Sequence, residues 1–143
     1  MAATFNKFQD FVEQLGLAKH NLNIDTLNVY LSNAQPVNTN TIKANIAEIT
    51  NQFGYTAPVD TQNTWAETAG TATLTGTKVV VTASGGVVGP FQFVVLYNDT
   101  QTSPADALIG WWDYGSAVTL QDGESFSIKF NSSDTTGTIL TLT

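Results

Sequence analysis

Apolar and polar residues alternate in short runs through the second half of the chain. Residues 125–130 place phenylalanine or isoleucine at every second position, and this period is typical of a β-strand with one face in water. Residues 91–97 are mostly apolar, which predicts a strand buried on both faces. The same reasoning predicts further strands over 71–84, 108–114, 117–120 and 139–142. About seven short strands separated by turn residues indicate an antiparallel β-sandwich, with jelly-roll-like connections.

Polar stretches mark the connections between these strands. The pair Asp122-Gly123 is the strongest short hairpin signal in the sequence, because this dipeptide suits the tight turns that join paired strands. Residues 98–106 predict a polar loop. Residues 59–70 predict a long surface loop that is anchored by Trp65.

The first residues show a helical period instead of alternation. The apolar side chains that recur at helical spacing are Phe5, Phe8, Phe11, Val12 and Leu15. They predict a short amphipathic helix over 4–15, and Gly16 offers a C-terminal cap. Its aromatic stripe packs either on the domain's own sheet or on a neighbouring subunit, as an intersubunit arm.

Between this helix and the later strands the pattern is mixed. Residues 25–31 alternate and predict a strand with one wet face and a distant partner. The isoleucines at 42, 46 and 49 suit a second short helix, and a strand over 42–46 is the alternative. We therefore predict a single domain over 1–143, with a helical arm at 1–20, a strand, short helix and long loop at 21–70, and a β-sandwich core at 71–143.

The charge of the chain excludes several classes of function. Charged residues make up 12% of the sequence, about half of the usual ~25%. Five lysines and no arginine stand against twelve carboxylates, for a net charge of -7. Nucleic-acid binding by phosphate neutralisation and docking on anionic lipid both require clustered basic residues. We therefore predict no nucleic-acid partner and no membrane partner.

Few residues could carry chemistry. The sequence has no cysteine, so a disulfide framework, a thiol nucleophile and a cysteine-based zinc site are excluded. Its one histidine, His20, follows the predicted helix and is interpreted as a capping or hydrogen-bonded structural residue. The carboxylates of the second half lie beside turns, where they hydrogen-bond to backbone; they are Asp99, Asp106, Asp113, Asp122 and Glu124. A catalytic pair among them, or a loop calcium site at Asp99, Asp106 or Asp122, is a less favoured alternative. We predict no enzymatic activity, no catalytic residue, no cofactor and no metal.

The adjacent tryptophans Trp111 and Trp112 are the clearest candidates for a contact site. Neighbouring residues of a strand point to opposite faces, so one indole belongs to the core and the other to a surface or interface. Large aromatic residues are typical anchors of protein contacts. A protein interface, simple burial and stacking on a sugar ring are the three interpretations. The predicted contact residues are Phe5, Phe8 and Phe11 of the arm together with Trp65, Trp111 and Trp112.

Several distinctive segments are spread over nearly the whole chain. They are FNKF at 5–8, HNL at 20–22, DTLNVYLSN at 25–33, IAEI at 46–49, GYT at 54–56, VGPF at 88–91, VLYNDT at 95–100, LIGWWDYG at 108–115 and LQDGE at 120–124. In these segments the chain resembles a family of small virion structural proteins of tailed bacteriophages. The likeness is weakest in the loop over 60–70.

The resemblance implies a structural component of a virus particle. The favoured interpretation is that the chain is a capsid decoration, or cement, protein that binds the lattice of the major capsid protein and stabilises the head. A tail, neck or fibre-associated subunit is the alternative. The adjacent tryptophans, apart from the resemblance, leave a carbohydrate-binding receptor module as a less favoured one. The implied partners are the major capsid protein, other virion subunits and further copies of this chain, with a trimer expected. The implied location is the virion, assembled in the cytoplasm of the host bacterium.

Overall fold

The computed structural model describes residues 3–131 and 135–143, and antiparallel β-strands make up most of it. The strands are β1 (Phe5–Lys7), β2 (Leu27–Ser32), β3 (Val59–Asp60), β4 (Thr64–Thr68), β5 (Thr71–Thr77), β6 (Val79–Thr82), β7 (Val88–Thr102), β8 (Ala105–Leu120), β9 (Ser125–Ile128) and β10 (Thr136–Leu142). One α-helix, α1 (Gln9–Gly16), and one 3-10 turn (Lys43–Asn45) complete the described elements. The predicted fold class, a mainly β, sandwich-like domain with a short N-terminal helix, is confirmed.

Two layers of strands enclose the main core. The first layer is a five-stranded sheet in the order β1-β8-β7-β2-β3. The second layer has a three-stranded sheet, β10-β5-β4, and a two-stranded sheet, β6-β9. The Lys78 amide, between β5 and β6, donates to the Thr135 carbonyl at 2.7 Å and so extends the pairing of β5 with β10. Side chains of both layers meet in one apolar cluster that includes Val29, Leu74 and Ile128.

The five-stranded sheet also has a core on its other face. All six residues of β2 are buried, so the expectation of a wet face on this strand was wrong. Tyr30 belongs to a second apolar cluster with Phe8, Tyr97 and Trp111. The Tyr30 hydroxyl donates to the Ile46 carbonyl at 3.1 Å. The irregular segment that follows β2 therefore covers the face that the alternation assigned to solvent.

The N-terminal helix is shorter than its apolar spacing predicts. Phe5–Lys7 form a strand, because they pair with Gly110 to Trp112 of β8, and α1 begins only at Gln9. Gly16 lies inside the helix, and the left-handed residue that follows it is Ala18, with φ 58°. Met1 and Ala2, which the predicted arm includes, lie outside the described residues.

Both predicted long loops contain strands. Residues 59–70 include β3 and β4, and β4 pairs with β5 with Trp65 opposite Leu74. Residues 98–106 are mostly the ends of β7 and β8, which close in a tight hairpin with Thr102 opposite Ala105. Polar composition misled the prediction here, because an edge strand or a projecting hairpin satisfies its backbone by pairing and needs few apolar side chains.

Three further predictions need correction. The segments 108–114 and 117–120 belong to one strand, β8. The Asp122-Gly123 turn is present, with φ 88° at Gly123, but β8 pairs with β7 whereas β9 pairs with β6. The turn thus passes the chain from one layer to the other and makes no hairpin. The sandwich also draws β1 to β4 from the first 70 residues, so its core is not confined to 71–143.

The segment between β2 and β3 holds little regular structure. A single 3-10 turn at Lys43–Asn45 replaces the predicted second helix, and Ile42 makes one isolated bridge to Ala107. Over the described residues, no helix has both the length and the apolar character needed to cross a membrane.

Candidate functional site: an aromatic cleft at the edge of the sandwich

Adjacent tryptophans on β8 point into different environments, as the strand geometry predicts. Trp111 is 8% exposed and packs on Phe8, with ring centroids 4.6 Å apart. Trp112 is half-buried and lies on the face of the main core. One indole therefore belongs to a sealed interior, and its neighbour reaches the surface.

Two further aromatic rings pack on Trp112. Its ring centroid lies 5.2 Å from that of Phe5 and 5.4 Å from that of Phe130. Two positions along β8, Tyr114 packs on Phe126 of β9 at 5.4 Å. Such tilted and edge-on pairs hold aromatic rings in defined orientations.

These rings line a cleft of about 360 Å³ between β8 and β9. We call the set Trp112, Tyr114, Phe126 and Phe130 the aromatic cleft. Tyr114 is 52% exposed, so a large part of its ring is in contact with solvent. The cleft presents a concave and mainly apolar surface with an exposed aromatic residue at its mouth, a combination typical of binding sites.

The strands beside the aromatic cleft are only partly paired. The short strand β1 covers β8 from Gly110 to Trp112, and no other described strand pairs with that edge of β8. β9 has β6 as its one partner among the described strands. Over the part of the chain that the structure describes, the sandwich is thus open along the edge where the aromatic cleft lies. Unpaired edges next to an apolar surface are sites at which proteins add a strand or pack a neighbour.

Of the other predicted contact residues, only Phe5 lies beside the aromatic cleft. Phe8 and Phe11 are buried in the two apolar clusters of the chain itself, which matches the packing of the helix on its own sheet. Phe5 is half-buried beside Trp112. Trp65 is half-buried on β4 and borders a separate shallow cleft. The structure therefore brings Phe5 and Trp112 together and separates both from Trp65.

Sequence reasoning missed three members of the aromatic cleft. Tyr114 follows Trp112 at the two-residue spacing that places both on one face of a strand. The alternation over 125–130 identifies Phe126 and Phe130 as apolar positions. Whether their rings contact side chains of β8 depends on how the two layers pack. The spacing of Trp112 and Tyr114 was the one available signal.

Three of the five carboxylates named for the second half accept backbone amides, as predicted. Asp113 accepts the Gly115 amide at 2.7 Å, and Asp122 accepts the Gly85 amide at 2.8 Å. Glu124 accepts the Gln121 amide at 2.8 Å. Among residues 3–131 and 135–143, no group of three or more histidine, cysteine or acidic side chains is arranged to hold a metal ion.

A polar cluster lies under the segment that covers the second core. Glu48 accepts from Lys43 at 2.9 Å and from the Tyr55 hydroxyl at 3.2 Å. Burial raises the pKa of Tyr30 and Tyr55, so both hydroxyls stay protonated at neutral pH. The Tyr55 hydroxyl also accepts the Leu31 amide of β2 at 2.8 Å. These groups therefore serve as hydrogen-bond partners for buried backbone.

His20 is a buried, hydrogen-bonded residue, in agreement with its structural interpretation. It is 5% exposed, and its Nδ1 lies 3.1 Å from the side-chain nitrogen of Asn98. Burial lowers the pKa of His20, while the nearby carboxylates of Asp25 and Asp10 act against this shift.

Comparison with known proteins identified no relative of this chain. No protein-family model, curated protein or solved structure matches the chain.

Proposed function

We propose that this protein is a structural subunit of a tailed-bacteriophage particle, and specifically a capsid decoration (cement) protein. In this role it binds the lattice of major capsid proteins and stabilises the head. The proposal rests on the resemblance of segments along nearly the whole chain to small phage virion proteins. Its supporting structural observation is the aromatic cleft on the open edge of the sandwich.

The aromatic cleft has the properties of a protein contact site. Trp and Tyr are the residues that most often dominate the binding energy of an interface, and here Trp112 and Tyr114 lie side by side on one strand face. Phe5 and Phe130 both pack on the Trp112 ring. Because these supports are already in place, little side-chain ordering has to accompany binding.

Cementing requires many modest contacts and no chemical step. A subunit that straddles the junction between capsid subunits must be displaced before they can separate. If the copies form a trimer, each contact after the first becomes intramolecular, with an effective concentration on the order of mM. Weak binding at one aromatic cleft is then sufficient for stable decoration.

The low charge of the chain suits this role. Contacts made through ion pairs weaken as salt screens them over ~8 Å at physiological ionic strength. The four aromatic side chains are neutral, and Lys129 is the charged residue that also lines the cleft, so binding through the aromatic rings is expected to depend little on salt. A decoration protein of this type would remain bound over a wide range of ionic strength.

The decisive experiment measures the copy number of the protein in purified particles of the phage that encodes it. Hundreds of copies, located on the head by imaging, are expected for a decoration protein. Three, six or twelve copies would replace the proposal with a neck, baseplate or fibre role. Absence from purified particles would overturn it.

A matched pair of variants tests the contact surface. Tyr114→Ser removes the exposed ring of the aromatic cleft, and Ile24→Ser removes a side chain that is 74% exposed and lies outside it. We expect Tyr114→Ser to lower occupancy on undecorated heads at least tenfold, with Ile24→Ser binding like the wild type. Equal binding by both variants would exclude the aromatic cleft as the contact surface.

Carbohydrate binding is the second candidate, and the shape of the site favours it. A cleft of about 360 Å³ falls in the range of small-molecule sites, roughly 300–1,000 Å³, and exposed aromatic rings can stack on sugars. A glycan array that shows binding by the wild type and loss in Tyr114→Ser would support this candidate. An array without binding would dismiss it.

A further inference from the structure

The side chain of Asn98 on β7 is held in one orientation. Its Oδ1 accepts the backbone amides of Thr100 at 3.0 Å and Gln101 at 3.2 Å. Its Nδ2 donates to Asp25 Oδ2 at 2.6 Å and faces His20 Nδ1 at 3.1 Å. Since Nδ2 can only donate, His20 Nδ1 must be the acceptor and the ring proton must reside on Nε2.

Protonation of His20 conflicts with this arrangement. A proton on Nδ1 would face the N–H groups of Asn98, and both partners would then be donors. Rotating the Asn98 amide would not resolve the conflict, because Oδ1 would leave the amides of Thr100 and Gln101. The other ring nitrogen, Nε2, is buried and has no hydrogen-bond partner among the described residues. The charged ring would thus have two unsatisfied N–H groups in a buried site.

The groups around the ring come from three elements. Phe11 of α1 packs on it at 5.2 Å, and Asp10 of the same helix and Asp25 of the following loop are the charged groups that act on it. β7 contributes the neutral side chain of Asn98. Both carboxylates favour the protonated ring, but the effect of burial exceeds theirs.

We propose that His20 and Asn98 form an acid-sensitive latch that fastens α1 and the segment at 17–26 to β7. At neutral pH the uncharged ring accepts from Asn98 and the latch is closed. Below about pH 6.5 protonation of free histidine becomes favourable, and the N-terminal unit opens so that the ring can be hydrated.

The packing around the latch favours local opening over global unfolding. A second cleft, of about 290 Å³, borders His20 and separates the end of α1 from Trp65 and Leu142. The strands β2, β7 and β8 are joined by their own ladders, which do not involve the ring. Opening at this place would expose Phe11 and Leu22 while the central sheet stays intact. The latch is independent of the proposed function.

Hydrogen exchange on the intact protein tests this proposal. The protection of α1 amides, corrected for the intrinsic pH dependence of exchange, is measured at pH 7.5 and 5.5, with amides of β7 as the internal reference. We expect α1 protection to fall by up to about tenfold at pH 5.5, one unit below the ~6.5 of free histidine, with β7 unchanged. Unchanged α1 protection, or an equal loss in α1 and β7, would overturn the proposal.

A matched variant and a direct measurement complete the test. In His20→Gln the side-chain oxygen can accept from Asn98 but cannot titrate, so α1 protection should be the same at both pH values. A fall equal to that of the wild type would contradict the latch. Because the protein has a single histidine, nitrogen NMR of the wild type also reads its tautomer without ambiguity. A proton on Nδ1 at pH 7.5 would refute the proposal even if the variant does not fold.

Discussion

Trp111 and Trp112 are chemically identical neighbours, yet they end in two regions that differ in almost every physical respect. Trp111 faces a core that is closed by Phe8 and by the covering segment after β2. Trp112 faces the main core at the point where the second layer ends, and its ring borders an open cleft. The comparison teaches that strand alternation assigns a residue to a face, whereas the element packed on that face decides whether it is core or surface.

The closed and open regions also differ in how polar groups are satisfied. On the closed side, buried tyrosine hydroxyls meet backbone groups, as Tyr30 does with the Ile46 carbonyl. On the open side, the aromatic cleft is lined mainly by apolar atoms, and solvent reaches the ring of Tyr114. Truncation should therefore affect stability on the closed side and binding on the open side.

The largest expected effect comes from exchanging the two tryptophans for alanine. Trp111→Ala should lower the free energy of unfolding by about 3–5 kcal/mol, because it leaves a cavity in a closed core. Trp112→Ala should lower it by clearly less, since its ring is already partly hydrated. Denaturant unfolding of both variants measures the difference. Equal losses would show that the two sites are equally buried in solution.

Gly110 directly precedes the two tryptophans on β8 and pairs with Lys7 of β1. A β-carbon at this position would overlap the ring of Phe5 and lie 2.7 Å from the Asn6 carbonyl oxygen. Gly110→Ala should therefore displace β1 and lower the free energy of unfolding by about 1–3 kcal/mol, the usual range for overpacking. Thermal unfolding measures this loss. The control is Gly70→Ala, because a β-carbon at Gly70 would strain the backbone but contact no other atom. A larger loss in the control would contradict this explanation.

A smaller effect is expected where the segment after β2 packs on the main core, to which Tyr55 and Leu31 belong. Tyr55→Phe removes the hydroxyl that accepts the buried Leu31 amide. An unsatisfied buried amide of this kind should lower the free energy of unfolding by about 1–2 kcal/mol. Hydrogen exchange at Leu31 should accelerate in parallel. Wild-type stability in this variant would indicate that water replaces the hydroxyl.

The smallest effect on stability is predicted at the mouth of the aromatic cleft. Tyr114→Ser should change the free energy of unfolding by no more than about 0.5 kcal/mol, as is usual for exposed positions, while it weakens binding to the particle. Chemical denaturation measures the first quantity and head binding the second. A large loss of stability would show that Tyr114 is part of the core. The difference between the closed and the open region would then not hold.

Predictions from sequence succeeded where the side chains of one strand carry the pattern. The alternation over 25–31 located β2, and the apolar run over 91–97 located the buried part of β7. They failed at β4 and at the far ends of β7 and β8, where backbone pairing holds polar segments in place. They also failed at Phe5, whose helical spacing was overridden by pairing with β8.

The order of side chains along the chain was enough to establish a mainly β domain, the opposite facing of Trp111 and Trp112, and a hydrogen-bonded role for the single histidine. These properties follow from local geometry and from the chemistry of single residues. Only the tertiary structure decided that the face with Trp111 is closed and that the face with Trp112 is open at its edge. It also decided that His20 meets Asn98. These arrangements depend on contacts between residues far apart in the chain, and no local pattern encodes which elements come to lie on which face.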